Sequence, residues 1–191
     1  MNKNLYLASS SPRRAELLRQ LGLSFSIVRA DVDELALNNE SAEDFVFRMA
    51  QEKAQAGYSA LSASNAWVIG GDTLLSLDGQ IIGKPSSESD YIATLNSLSG
   101  NWHLVLSAVA LLSHDKLVCA LNKTRVKFKS LSQSEINEYW ASGEPQGKAG
   151  GYAIQGLGAK YIERIEGSYS AVMGIPLFEL NQLLTESGFY E

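Results

Sequence analysis

The chain has 191 residues, 45% of them hydrophobic and 19% charged, which suits an ordinary globular domain with a real core. Its net charge of -5 argues against broad binding to nucleic acids or membrane surfaces, so a polyanionic ligand would need a local cationic pocket. The N-terminal apolar stretch is too short for a signal peptide, no stretch is long enough to span a membrane, and the single cysteine, Cys119, suits a reducing compartment. We therefore expect a cytoplasmic protein with one domain over residues 1–191.

The first distinctive motif joins an apolar run to a helix. Residues 5–8 form the run, three serines follow, and Pro12 suits the first position of a helix that ends at Gly22. Arg13 and Arg14 then fall in the first helical turn, where the helix dipole disfavours cations by roughly 0.3–1 kcal/mol each. An anion bound to the free N–H groups and the serine hydroxyls would explain this arrangement. The alternative is a pair of solvated arginines that tolerate the cost.

A lysine interrupts the apolar stripe of the next predicted helix. This helix begins after Ser41, which can cap it, and Phe45 and Met49 lie four residues apart on its stripe. Lys53 continues the same spacing. Because an unpaired ammonium is costly to bury, Lys53 must either extend its charged end into solvent or meet an anion.

A predicted β-hairpin brings three polar residues together. Two apolar runs flank Asp78-Gly79, a dipeptide that favours a type I′ turn. Counting back from a two-residue turn places Thr73 opposite Lys84, with Asp72 beside them. Strict alternation would point Asp72 and Thr73 to opposite faces unless a bulge intervenes. A carboxylate in such an apolar strand either serves a ligand or forms an ion pair with Lys84 that holds the hairpin.

The remaining elements complete an α/β pattern. We predict further helices over residues 88–99, 132–143 and 176–187, and further strands over residues 102–112, 117–128 and 160–165. Ser132 and Glu135 predict a capping box for the second of these helices. Because the hairpins force antiparallel pairs, the expected sheet is mixed.

Two further segments carry candidate binding groups. Glycines in the loop 147–158 let backbone approach a ligand closely, and Gln155 offers an amide that can donate to and accept from a nucleobase. Asp33 and Glu34 form an acidic pair that could hold a hard cation. Each segment alone is equally typical of an ordinary loop or turn. The sequence contains neither the P-loop pattern nor the G-x-G-x-x-G dinucleotide pattern.

Together these segments resemble the Maf family of nucleoside triphosphate pyrophosphatases over nearly the whole chain. The resemblance rests on residues 7–14, Asp33-Glu34, Glu52-Lys53-Ala54, Gly71-Asp72-Thr73, Gly83-Lys84-Pro85 and 148–156. It implies an α/β fold with an elongated mixed sheet flanked by helices and two lobes with a cleft between them, similar to inosine triphosphate pyrophosphatases. Gly71 departs from the family, which more often has alanine there.

The resemblance also implies an activity and a set of site residues. The activity is metal-dependent hydrolysis of a nucleoside triphosphate to the monophosphate and pyrophosphate, with dTTP and UTP as substrates in the branch that carries Arg13, Thr73 and Gln155. The implied substrate-binding residues are Ser9, Arg13, Arg14, Lys53, Thr73, Lys84 and Gln155; Glu34 and Asp72 would bind Mg²⁺ or Mn²⁺. Asp72 would also orient or deprotonate the attacking water, whereas Thr73 and Gln155 would face the base.

Two other functions stay open beside this housecleaning pyrophosphatase. One is a pyrophosphatase for 7-methyl-GTP or another modified nucleotide. The other is a non-catalytic nucleotide-binding regulator of cell division, which would not need Asp72. In each case we expect a nucleotide ligand, no nucleic-acid or membrane partner, and, from the resemblance, a homodimer.

Overall fold

The computed structural model describes residues 3–61 and 65–191, in which one sheet carries helices on both faces. Its strands are β1 (Asn4–Leu7), β2 (Ser26–Ile27), β3 (Ala66–Leu77), β4 (Gln80–Ile82), β5 (Trp102–Leu112), β6 (Leu117–Phe128) and β7 (Ile162–Glu166). The α-helices are α1 (Pro12–Gln20), α2 (Ala42–Ser59), α3 (Glu88–Leu98), α4 (Gln133–Ala141), α5 (Tyr169–Met173) and α6 (Leu177–Glu186). No helix in these two stretches is both long enough and apolar enough to cross a membrane.

The sheet is mixed, as the sequence predicts. Its strand order is β2-β1-β3-β5-β6-β7, and β4 pairs with β3 beside this path. Strand β1 runs parallel to both β2 and β3, whereas the other pairs are antiparallel. The predicted α/β class with a mixed sheet and flanking helices is therefore confirmed.

Most predicted elements are present with small shifts at their ends. The two long strands β5 and β6 have the predicted bounds, and the capping box of α4 is formed by Ser132 and Glu135. The predicted strand over residues 160–165 begins later, because residues 157–161 form a 3-10 helix. Strand β2 and helix α5 were not predicted, since two and five residues are too few to show a period.

Helix α2 lies directly against β3, and a glycine makes this possible. A Cβ atom on Gly70 would sit 2.2 Å from the Ala50 carbonyl oxygen and 2.5 Å from the Ala54 nitrogen, so no larger residue fits there. Ala50 and Ala54 are fully buried in the apolar layer between α2 and the sheet. The same close approach brings Lys53, on α2, next to the middle of β3.

Strand β3 is paired along one edge and interrupted along the other. On one side it pairs with β5 from Val68 to Ser76 without a register shift. On the other side β1 pairs with residues 66–69 and β4 with residues 75–77. Within the described residues no strand pairs with residues 70–74 on this side, and the chain segments that follow β1 and β4 flank the gap.

The hairpin between β3 and β4 is shorter than predicted. Its turn is formed as expected, with positive φ values of 50° at Asp78 and 82° at Gly79. The ladder, however, ends at the pair Leu75 and Ile82. The predicted pairing of Thr73 with Lys84 is therefore wrong, because β4 ends two residues before Lys84 and the chain then leaves the sheet.

Candidate active site

A cavity of about 740 Å³ opens at the gap beside β3. The turn after β1, the start of α1, the middle of α2, the open part of β3 and the segment after β4 all contribute to its wall. Of the residues predicted for the site, eight line this cavity: Ser9, Arg13, Arg14, Glu34, Lys53, Asp72, Thr73 and Lys84. The fold thus gathers residues from five separate sequence motifs.

Lys53 bridges the two candidate metal ligands. Its Nζ lies 2.7 Å from Asp72 Oδ1 and 2.5 Å from Glu34 Oε1. Lys53 and Asp72 are each only 8% exposed, so the lysine meets anions and does not extend into solvent. The alternative ion pair between Asp72 and Lys84 is wrong: Lys84 instead lies 3.7 Å from Glu34 Oε2. We call Glu34 and Asp72 the acid pair.

The electrostatic surroundings keep Glu34 ionised. Partial burial alone would raise the pKa of its carboxyl group, but the hydrogen bond from Lys53 and the charges of Lys53, Lys84 and Arg14 outweigh this effect. The net result is a pKa below its usual value. Glu34 therefore faces the cavity as a carboxylate.

The acid pair fits a hard divalent cation. Both carboxylates contact the same ammonium, so they are close enough to share a cation, and carboxylate oxygens are ligands that Mg²⁺ prefers. In the part of the chain that the structure describes, no cluster of three or more acidic, histidine or cysteine side chains could hold a metal. A pair of carboxylates would be enough for Mg²⁺, which commonly takes one or two carboxylates and completes its shell with water and substrate phosphates.

Arg14 is held in a fixed orientation at the start of α1. Its Nε donates to the Gly174 carbonyl oxygen at 3.0 Å, and its Nη1 donates to Ser9 Oγ at 3.2 Å. Ser9 Oγ also accepts from the Ser11 N–H at 3.2 Å, whereas the Ser11 side chain makes no capping bond. A side chain from outside the helix thus orders the turn and directs the arginine toward the cavity.

Three cations lie beside this helix start, and burial lowers the pKa of each, an effect that the charges of Asp72 and Glu34 oppose at Arg14. Burial lowers the pKa of Arg13, and the charge of Arg14 lowers it further. Burial likewise lowers the pKa of Lys148, with Arg13 as the next cause. The first turn of α1 contains no acidic residue, and among the described residues none of the three forms an ion pair. We call Arg13, Arg14 and Lys148 the cation cluster.

Sequence reasoning missed two residues: Lys148, which lines the cavity, and Glu144, which supports the loop behind it. The sequence marks Lys148 only by its place in the glycine-rich loop 147–158, at the start of the segment 148–156 that carries the resemblance. Glu144 fixes that loop: its carboxylate accepts from Tyr139 Oη at 2.6 Å, the Leu157 N–H at 2.9 Å and the Gly158 N–H at 3.0 Å. Such long-range bonds leave no local pattern.

Thr73 and Asp72 point to opposite faces of the sheet. Asp72 contacts α2, whereas Thr73 Oγ1 lies 2.9 Å from Ser107 Oγ and donates to the Gly174 carbonyl oxygen at 3.3 Å. Strict alternation therefore holds, and no bulge rotates either residue. Both still reach one cavity because the cavity lies at the edge of β3 and not on one face.

Gln155 is the one predicted substrate-binding residue that the structure does not bring to the cavity. It is exposed at a turn, directly after the buried residues 152–154. Tyr152, by contrast, lines the cavity, and its hydroxyl lies 2.8 Å from His103 Nε2. The loop thus turns its apolar residues inward and Gln155 outward, and the contact between Gln155 and a base stays a prediction.

Comparison with known proteins places this geometry in a family. The family model described as Maf-like protein matches residues 4–187. The chain is 50% identical to the dTTP/UTP pyrophosphatase of Hydrogenovibrio crunogenus, covering 100% of this chain and 99% of that protein. It is 52% identical to the protein of the same name in Methylobacillus flagellatus, covering 96% and 92%, and 52% identical to that of Pseudoalteromonas translucida, covering 96% and 97%. Among solved structures, it is similar to the Staphylococcus aureus Ham1 protein, with a TM-score of 0.47, 17% identity, and coverage of 66% of this chain and 72% of that one. With a family model that spans nearly the whole chain and full-length relatives at half identity, this chain belongs to the Maf family.

Proposed function

We propose that this chain hydrolyses dTTP and UTP to the corresponding monophosphate and pyrophosphate. The observation that carries the proposal is the cavity, where a cation cluster that forms no direct ion pair with described residues stands beside an acid pair that shares one ammonium. A triphosphate supplies anions that can contact the cluster directly. The shared name of the full-length relatives supports the choice of dTTP and UTP.

The cation cluster would hold the phosphates. Arg14, which is half-buried and held by Gly174 and Ser9, offers its guanidinium in a preorganised direction, and preorganised charge is most effective away from bulk water. Arg13, Lys148 and Lys84 add charge from neighbouring parts of the wall. These groups would stabilise the negative charge that develops on the pyrophosphate as it leaves.

Asp72 would accept a proton from the attacking water. The water oxygen forms a bond to the α-phosphorus while the anhydride bond to the β-phosphate breaks, and the proton passes from the water to the Asp72 carboxylate and then to solvent. Mg²⁺ or Mn²⁺ bound by Glu34 and Asp72 would neutralise phosphate charge and lower the pKa of a bound water. Lys53 holds the two carboxylates together and adds a positive charge next to Asp72.

A cytoplasmic homodimer stays part of the proposal. The single cysteine is compatible with a reducing compartment, and the dimer is expected from the family resemblance. Sedimentation of the purified protein and fractionation of cells would test the two points separately.

A substrate panel tests the function directly. The protein is incubated with dTTP, UTP, CTP, GTP and 7-methyl-GTP, each with Mg²⁺, with Mn²⁺ or with a chelator, and the products are separated. We expect monophosphate and pyrophosphate in equal amounts, highest rates on dTTP and UTP, and loss of activity with the chelator. Diphosphate with orthophosphate would contradict the proposed bond cleavage, and a preference for 7-methyl-GTP would favour the second branch. Binding without turnover would favour the regulator.

A further inference from the structure

The segment that carries Glu34 lies at the surface and has no regular structure. Residues 28–37 form neither a helix nor a strand, and residues 33–39 are all exposed. Leu35 and Leu37 are 74% and 61% exposed, so they contribute little packing against the core. Burial of apolar side chains therefore does not fix the position of Glu34, and polar contacts have to do so.

Arg48, on α2, binds this segment at two points. Its Nε and Nη2 donate to the two carboxylate oxygens of Glu40 at 2.6 and 2.7 Å, and Nη2 also donates to the Leu35 carbonyl oxygen at 3.0 Å. Glu40 in turn accepts from the Leu37 N–H at 2.9 Å. One guanidinium thus connects both ends of residues 35–40 to the helix. We call these contacts the Arg48 tether.

The Arg48 tether is partly shielded from water and geometrically specific. The Glu40 side chain is only 7% exposed and that of Arg48 22%. A guanidinium and a carboxylate joined by two parallel bonds form one of the stronger polar contacts in proteins, and its planar fork also fixes direction. The ammonium of a lysine has no such fork. The tether therefore restrains both the distance and the orientation of the segment.

The tether starts from a rigid part of the fold. Helix α2 packs directly on β3, where a Cβ atom on Gly70 would sit 2.2 Å from the main chain of the helix. Lys53 of this helix contacts Asp72, and Arg48 of the same helix holds the carbonyl group next to Glu34. Helix α2 thus sets the positions of both members of the acid pair relative to each other.

We infer that Arg48 is a positioning residue for Glu34. It holds the main chain beside Glu34 so that this carboxylate stays next to Asp72 and the two can share one divalent cation. Arg48 itself does not line the cavity, so it acts through Glu34 and not on a ligand. The inference rests on the proposed function, because it concerns the metal that the acid pair would bind there.

Mn²⁺ binding tests the inference without turnover. Electron paramagnetic resonance measures free Mn²⁺ during a titration of the intact protein, at a constant saturating concentration of the uncleavable analogue α,β-methylene-dTTP. Arg48→Met should weaken Mn²⁺ binding about 10- to 100-fold, the usual effect of losing a group that orients a metal ligand. The matched control is Glu52→Gln. Glu52 accepts from Nη1 of the same arginine at 3.0 Å, so its loss leaves the contacts to residues 35–40 in place and should not change the Mn²⁺ affinity.

A double variant separates the tether from the charge that it neutralises. Arg48→Met alone leaves the Glu40 carboxylate unpaired in a largely buried position, which by itself disturbs the protein. Combining Arg48→Met with Glu40→Gln removes that charge. We expect the double variant to be more stable than Arg48→Met and to show the same loss of Mn²⁺ affinity, because the tether is absent from both.

Two further readouts distinguish positioning from general damage to the fold. The affinity for inorganic tripolyphosphate, measured by calorimetry without metal, should stay at the wild-type value in both variants, since the cation cluster lies on other segments. In turnover of dTTP, excess Mn²⁺ should restore most of kcat in both variants, because Glu34 and Asp72 are still present and only their placement is loosened.

The outcomes separate this inference from the proposed function. If dTTP is cleaved and Arg48→Met binds Mn²⁺ as tightly as the wild type, the inference is overturned and the function stands. An equal loss of tripolyphosphate affinity, or recovery of Mn²⁺ affinity in the double variant, would also overturn it. Weaker Mn²⁺ binding in Arg48→Met, in a protein that binds the analogue but does not cleave dTTP, would support the positioning role and overturn the function. A wild type that binds the analogue without Mn²⁺ has no metal site for Arg48 to position, which would overturn the inference.

Discussion

Two groups of cations share the cavity and differ in what neutralises them. Lys53 lies between Glu34 and Asp72, so its charge is more than matched by protein carboxylates. The cation cluster of Arg13, Arg14 and Lys148 forms no ion pairs with described residues. Burial lowers the pKa of both Arg13 and Lys148, and repulsion within the cluster lowers it further. The charge of the first group is compensated within the free protein, whereas the second group has positive charge that a bound anion can compensate.

The difference shows which part of the site the fold completes alone. The buried ammonium of Lys53 is compensated within the free protein, and its removal would leave two carboxylates without a counter-ion. Unpaired cations at a helix start destabilise the free protein and become favourable only when an anion arrives. The cation cluster therefore gains direct favourable contacts only when an anion binds. The two carboxylates of the acid pair, in contrast, already contact Lys53 in the free protein. The predictions below test this contrast, beginning with the largest expected effect.

The acid pair should matter most for turnover. Asp72→Asn keeps the shape of the side chain but removes the charge that activates water and holds the metal. We expect kcat on dTTP to fall by about 10²- to 10⁴-fold, the usual scale for loss of a general base, while nucleotide binding measured by calorimetry survives in part. The exposed Asp115 provides the matched control, Asp115→Asn, which should leave kcat unchanged. Near-normal turnover in Asp72→Asn would make Asp72 a structural partner of Lys53 only.

Stability should respond differently in the two groups. Lys53→Met leaves the acid pair without its counter-ion and should lower the free energy of unfolding by about 3 kcal/mol, as for other broken buried pairs. Lys148→Met removes a repulsion with Arg13 together with an attraction to Glu144 and a hydrogen bond to the Glu144 carbonyl oxygen, so it should change the free energy of unfolding by no more than about 1 kcal/mol. Urea denaturation of the two variants without nucleotide measures both effects. If both variants lost the same stability, Lys148 would be as well compensated in the free protein as Lys53, and the proposed difference between the two groups would be wrong.

Local signals predicted much of the fold, and the reasons for the failures are physical. The turn at Asp78-Gly79 and the capping box at Ser132 depend on neighbouring residues, and both are formed. The predicted β4 is too long, because the strand ends where the chain leaves the sheet to line the cavity, and no residue within the hairpin predicts that end. The gap beside β3 depends on where both β1 and β4 end along it, so no single strand predicts it.

The candidate site shows the same difference between local signals, which the sequence contains, and contacts between distant segments, which it does not show. The interrupted apolar stripe left two outcomes open for Lys53, solvent or an anion. The choice of Asp72 depends on the contact between α2 and Gly70, which the stripe does not show. The loop glycines predicted backbone near a ligand but could not show which side chain points inward. The structure turns Lys148 to the cavity and Gln155 away from it, because Glu144 holds the loop from outside its own sequence.

Removing one member of the cation cluster should weaken anion binding more modestly. Arg13→Met should reduce the affinity for pyrophosphate by about 10-fold, since one charge-assisted contact is lost while Arg14 and Lys148 remain. Calorimetry at low and at moderate salt measures the affinity and should show a smaller salt dependence in the variant. Arg29, which is exposed and paired with Asp31, supplies the control variant Arg29→Met, for which no change is expected. An unchanged affinity in Arg13→Met would leave Arg13 as one of the solvated arginines of the alternative interpretation.

The smallest expected effect concerns acid and the outer member of the acid pair. The pKa of Glu34 is held below its ordinary value of 4.5, so the folded protein binds fewer protons at this carboxyl group than the unfolded chain does. The stabilisation is therefore complete above pH 4.5 and is lost as the pH falls through the lowered pKa. Since the Glu34 side chain is 48% exposed, solvent screening limits the effect to about 0.5 kcal/mol. Glu34→Gln should remove this pH-dependent stabilisation, so the stability of the variant should fall less than that of the wild type over this pH window. The control Glu163→Gln, at an exposed position of β7, should follow the wild-type curve. If the stability of Glu34→Gln instead followed the wild-type curve, the contact between Lys53 and Glu34 would contribute nothing to stability. Asp72 alone would then compensate the charge of Lys53 in the free protein.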